Sequence, residues 1–99
     1  MRSPEGCASI GDVREAIDGL DREILRLLGR RARYVAAAAR FKTDGRSVRA
    51  PERQRAMLAR RRSWAVEEGL DPDFVESLYR KIVSHFVGRE MDRWQEERT

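Results

Sequence analysis

Arg14, Arg31 and Lys42 interrupt the apolar positions of one stretch with helical periodicity, running from Asp12 to Lys42. Cations set among apolar residues suit the capture of an anion, and their spacing says how. Arg31 and Lys42 are eleven residues apart, three helical turns, so they project from nearly the same face about 16 Å apart along the axis. Two long side chains leaning toward each other could share one small ligand across that gap. Arg14 lies seventeen residues before Arg31, about 25 Å away on a straight helix and out of reach of the same ligand. An antiparallel partner helix would bring a second copy of Arg14 to it, making a site shared between chains. The plainer reading is that all three are exposed cations packing their stems along the helix surface, and taken alone the residues favour it.

The element that carries them is long. Residues 12–42 contain no proline and only two glycines. At 1.5 Å per residue they would extend about 45 Å, beyond the diameter of a compact domain of this size. Apolar or small residues recur at Val13, Ile17, Leu20, Ile24, Leu27, Leu28, Val35, Ala38 and Ala39, the three-and-four spacing of a buried stripe. A chain of 99 residues cannot cover that stripe along its whole length, which implies an oligomer, most simply a two-fold dimer. A solvent-bridging helix, or a kink near Gly29, is the alternative.

Helix breakers set the remaining elements. Residues 1–11 hold Pro4, Gly6 and Gly11 and read as a loose lead-in, with Ser9 or Asp12 available to cap the first helix. Residues 43–51, Thr-Asp-Gly-Arg-Ser-Val-Arg-Ala-Pro, form a polar loop. Pro51 and Glu52 suit the first turn of a second helix that passes through Met57, Leu58 and Trp64 to a stop near Gly69. Asp71 as N-cap and Pro72 at the first helical position start a third. Its stripe is Phe74, Val75, Leu78, Ile82, Val83, Phe86, Val87 and Met91, ending near Trp94. With no sustained strand alternation, internal repeat or low-complexity tract, the chain reads as all-α, three helices with a long first one, in a single domain over 1–99.

Composition narrows the partners. Basic residues number 21 against 17 acidic, for a net charge of +4, a modest excess spread along the chain that points to anionic ligands without demanding nucleic acid. Only Lys42 and Lys81 are lysines, and an arginine bias of this kind also follows from genome composition. The single cysteine, Cys7, has no intrachain partner and no metal-ligand neighbour. Nothing at the N-terminus resembles a secretion signal, and no apolar run approaches the roughly 18 residues of a membrane span. A cytoplasmic protein without membrane partners is expected.

The runs Asp12-Val-Arg14-Glu-Ala-Ile-Asp18-Gly-Leu-Asp21, Leu28-Gly-Arg30-Arg31 and Ala38-Ala-Arg40-Phe-Lys42 resemble the first helix of the all-helical chorismate mutase family. Pro51-Glu52-Arg53 and the Trp64 to Phe74 stretch extend the likeness over nearly the whole chain. Pro4-Glu5-Gly-Cys7 and the Ala-Arg-Phe-Lys run are most similar to the family's bacterial isochorismate pyruvate lyases of salicylate and siderophore synthesis. The resemblance implies an intertwined homodimer with two equivalent sites, a small dianionic substrate (isochorismate or chorismate), and no metal or organic cofactor. By position, it implies that Arg14 crosses from the partner chain to grip one substrate carboxylate while Arg31 holds the other. A planar guanidinium pairs bidentately with a carboxylate and stays charged. Lys42 would donate to the ether oxygen whose bond to the ring breaks, where negative charge builds in the transition state. Arg53 would close the site and add positive potential, with residues 43–51 as a lid that excludes water.

Two departures from the family pattern bear on the reaction. Typical chorismate mutases place acids near the start of the second helix to hold the ring hydroxyl, whereas the matching positions are Ala50 and Gln54. That loss, with apolar Val87 where mutases often carry a small hydroxyl residue, fits a lyase acting on isochorismate, whose hydroxyl sits elsewhere on the ring. Glu90 stands where many relatives have glutamine as the second donor to the ether oxygen. An ionised glutamate has no proton to donate, so Glu90 must be protonated to serve. Burial would raise its pKa and a nearby Arg53 or Lys42 would lower it. The plainer reading is a surface acid pairing with Arg89 or Arg93.

The remaining polar and aromatic residues have simpler explanations. His85 is the sole histidine, and neither pericyclic elimination nor rearrangement requires one. Trp64 and Trp94 suit core or interface anchoring, and Arg60-Arg61-Arg62 a solvated face. Three functions are therefore expected in order: isochorismate pyruvate lyase with weak mutase activity, chorismate mutase making prephenate, and a small basic nucleic-acid binder. Acids interleaved with the arginines on every helix oppose the last.

Overall fold

The computed structural model describes residues 3–41 and 51–98, without the side chains at 87, 90, 91, 93, 94, 97 and 98. Three α-helices follow in order, α1 (Ile10–Ala38), α2 (Pro51–Glu67) and α3 (Pro72–Arg98), with 3-10 turns at Pro4–Gly6 and Ala39–Phe41. No strand occurs among the described residues. The contacts divide the chain into two units, Met1–Tyr34 and Val35–Thr99.

In the first unit the expected loose lead-in is more ordered than its glycines suggest. The Ser3 hydroxyl accepts from the Gly6 N–H at 3.1 Å and caps the Pro4–Gly6 turn. Ser9 then serves as the N-cap of α1, accepting from the Asp12 N–H at 3.1 Å, while the Asp12 carboxylate accepts from the Ala8 N–H at 2.9 Å. This reciprocal pair starts the helix two residues before the expected Asp12. Along α1 no residue is buried. Leu20 and Ile24, in the middle of the apolar stripe, keep 52% and 54% of their surface exposed.

The far end of α1 corrects a second expectation, that one helix continues to Lys42. The α-helix ends at Ala38, and Ala39–Phe41 tighten into a 3-10 turn, a common way of satisfying the last carbonyls of a helix. Ala39 is buried, and this turn packs against α3. Lys42 and the expected loop over 43–50 lie outside the described residues.

α2 and α3 form a hairpin with its own core. Pro51 occupies the first position of α2, where its missing N–H costs nothing, and Glu52 in the first turn suits the helix dipole. The helix stops in a Schellman motif: Leu70 N–H donates to the Ala65 carbonyl at 2.8 Å and Gly69 N–H to that of Val66 at 3.1 Å. Gly69 takes φ +73°, the left-handed conformation this stop requires. Two residues on, Asp71 caps α3 by accepting from the Asp73 N–H at 2.9 Å, ahead of Pro72. Met57, Leu58 and Ala65 from α2 and Val75 from α3 are buried in this unit. α3 runs to Arg98, past the expected end near Trp94.

The arginine run on α2 is not the solvated face its charge suggests. Arg60 is exposed, but Arg61 and Arg62 are half-buried. Arg62 reaches across to α3, donating to Asp73 at 2.8 Å and Glu76 at 3.2 Å, and Glu76 also accepts from Arg80 at 3.0 Å. Arg61 lies over the rings of Trp64 and Tyr79, at 4.9 and 5.4 Å from their centroids, a cation–π bridge between the two helices.

Candidate active site

The apolar residues of α1 follow a strict register. Ile10, Val13, Ile17, Leu20, Ile24 and Leu27 alternate by three and four, the seam of a coiled coil. The next step of that register is position 31, so Arg31 stands in line with the seam, half-buried, while Arg14 flanks it beside Val13 and is exposed. A guanidinium in line with an apolar seam has to meet an anion or a hydrogen-bond acceptor wherever that seam becomes covered. Arg14 and Arg31, seventeen positions apart, lie in one continuous helix, which keeps them about 25 Å apart along its axis.

In the second unit, α2 and α3 enclose a groove of about 470 Å³. Met57, Leu58 and Val83 give it an apolar lining, and Gln54, Ser84 and Arg80 supply polar groups along it. Gln54, which the sequence picks out as replacing a family acid, is therefore on a cavity wall. Arg53 is on the first turn of α2, exposed and outside that lining. Position 90 follows Val83 by seven residues on α3, two helical turns along the same face. The side chains of Glu90, Val87 and Trp94, like Lys42 and Ala50, lie outside the described residues.

Among the expected site residues, Arg14 and Arg31 thus belong to the first unit and Arg53 to the second. The groove's Ser84 and Arg80 were not singled out from the sequence. Their signal was there, since 80, 84 and 88 recur at four-residue spacing on α3, but only the pairing of α3 with α2 turns that row into a wall.

Several arginines are committed to acids rather than to a ligand. Arg26 pairs with Glu23, Arg55 with Glu52 at 4.0 Å, Arg62 with Asp73 and Glu76, and Arg80 with Glu76. The hydrogen bond from Arg26 holds the Glu23 carboxyl below its ordinary pKa. The bond to Asp73 raises that of Arg62. These pairs reduce the cationic surface open to phosphates, as the interleaving of charges in the sequence suggested. Among the described residues no cluster of three or more His, Cys, Asp or Glu side chains could hold a metal ion. No helix there is long and apolar enough to cross a membrane.

Similarity to known proteins bears on this arrangement. An isochorismate pyruvate lyase of Pseudomonas aeruginosa is 45% identical over 98 residues, covering 99% of this chain and 97% of that one. A T-protein of Enterobacter agglomerans is 33% identical over 87 residues, and a bifunctional chorismate mutase/prephenate dehydratase of Neisseria gonorrhoeae 41% identical over 78. The matches cover 23% and 21% of those two longer proteins. The sequence pattern of chorismate mutase type II matches residues 13–91, and the chain belongs to that family.

Proposed function

We propose that this enzyme is an isochorismate pyruvate lyase, acting by a concerted, cofactor-free elimination. In that step the ether bond to the ring breaks and a ring hydrogen passes to the departing enolpyruvyl group. Pyruvate leaves and the ring aromatises to salicylate. The observation that carries this reading is the 45% identity to a protein of that name along essentially the whole of both chains. Gln54 on the groove wall agrees with it, being neutral where a mutase would present an acid to the ring hydroxyl.

The working unit is an intertwined homodimer with two equivalent sites. The six-residue apolar seam of α1, on a helix with no buried residue, supports this, because burying such a seam requires a second copy. Arg31 grips one substrate carboxylate and Arg14 of the partner subunit the other. Lys42 donates to the ether oxygen, and a protonated Glu90 shares that task. Arg53, exposed at the head of α2, adds positive potential at the entrance. The substrate is a small dianion, which is what paired guanidinium forks recognise.

A second reading, chorismate mutase making prephenate, is favoured by the family's own description and by the Neisseria relative's name. Incubating the purified protein with isochorismate and with chorismate separately, then identifying products, decides between them. Salicylate and pyruvate from isochorismate are expected. Prephenate from chorismate with no salicylate from isochorismate would assign the mutase instead.

A further inference from the structure

Arg14 is the fifth residue of α1, and the turn that carries it packs against nothing within its own unit. Ile10, Gly11, Val13 and Arg14 are all exposed. Gly11 at the second helical position also lowers the turn's intrinsic helix preference. The first turn of a helix frays when its free N–H groups lack partners. Here the Asp12 N–H has one, donating to the Ser9 hydroxyl at 3.1 Å, and the Asp12 carboxylate in turn accepts from the Ala8 N–H just ahead of the helix at 2.9 Å. The two bonds fix both the helix start and the residue leading into it. Arg14 stands just two residues beyond Asp12, so unwinding there redirects a long side chain whose bidentate grip depends on the direction of its fork.

We infer that Ser9 and Asp12 are positioning residues for Arg14, holding its guanidinium in the direction a substrate carboxylate requires. The inference rests on the reading that Arg14 binds substrate. It differs from a purely structural role because the effect must pass through Arg14.

The test is steady-state kinetics with isochorismate, combined with amide hydrogen exchange over residues 12–14. Asp12→Ala is expected to raise KM about fivefold, the effect of one lost cap, with kcat held within about twofold. Ser9→Ala should act in the same direction. Asp12→Asn keeps an acceptor oxygen without the charge and should restore KM. In an Arg14→Ala background, assayed at raised enzyme concentration, Asp12→Ala should no longer change KM. Exchange over residues 12–14 should quicken in Asp12→Ala alone and return toward the wild-type rate in Asp12→Asn. Faster exchange with unchanged KM overturns the inference and leaves the role of Arg14 standing. An Asp12→Ala effect that persists at full size without Arg14 overturns it as well. If Arg14→Ala itself leaves KM unchanged, the role of Arg14 and the inference fall together.

Discussion

The α2–α3 hairpin and α1 both carry apolar residues at helical spacing, and these meet opposite fates. The hairpin closes on itself. It has a stop at Gly69, a cap at Asp71, buried Met57, Leu58, Ala65 and Val75, and Arg62 bridging to Asp73 and Glu76. α1 is longer than either helix of the hairpin, has a regular seam from Ile10 to Leu27, and buries nothing. Its local order comes from its caps and from pairs along its own surface such as Glu23–Arg26. A helix whose apolar register has no cover in its own unit is shaped for association. The arginine placed in line with that register, Arg31, is then shaped for whatever association encloses.

Disrupting the seam of α1 should therefore cost assembly and activity together, whereas disrupting the buried core of the hairpin should cost stability alone. Leu20→Glu places a charge in the seam. Because burying it unpaired costs several kcal/mol, the proposed dimer should dissociate at micromolar concentration in sedimentation experiments, with activity down at least about a hundredfold. Val75→Ala opens a cavity in the hairpin core, where Val75 is buried, and should cost roughly 2 kcal/mol in denaturant unfolding while the folded enzyme keeps its kcat. An assembly defect in that variant would erase the distinction.

A smaller effect concerns the hairpin's own contribution to the chemistry. With a protonated Glu90 as donor, activity should fall about tenfold per pH unit above the Glu90 pKa, and Glu90→Gln should flatten that limb. An identical profile in the variant removes the donor role. The smallest effect is Glu23→Gln on the exposed surface of α1. Arg26 holds the Glu23 carboxyl below its ordinary value, so the pair's stabilisation is present above the ordinary carboxylate pKa. It is lost as pH falls through the lowered, folded-state value. Thermal unfolding followed from neutral to acid pH should show a slightly shallower acid loss in the variant, with activity at neutral pH unchanged.

What could be read in the sequence depended on range. Asp71, Pro72 and Gly69 act on their own neighbours through fixed backbone geometry, so the hairpin's turn was legible residue by residue. The seam of α1 was legible because its period is local, and its lack of cover followed from length. The end of α3 was not: its apolar stripe finishes at Met91, but Gln95, Glu96, Glu97 and Arg98 are good helix formers and carry the helix on. The 3-10 tightening at Ala39 depends on packing against α3. The placement of Arg61 and Arg62 depends on which face of α2 meets α3, and neither α2 nor α3 states that by itself. For the site, helical spacing singled out Arg14, Arg31 and Lys42, while the family resemblance supplied their individual roles and added Arg53 and Glu90.

The central claim, a site built from two chains, has a direct test in subunit mixing. Arg14→Ala and Arg31→Ala are each expected to be nearly inactive on isochorismate. Unfolded and refolded together, half of the dimers are hybrids, each with one site that has both arginines intact, so salicylate formation should recover to about a quarter of the wild-type rate. A mixture that stays at the level of its inactive parents would contradict a shared site.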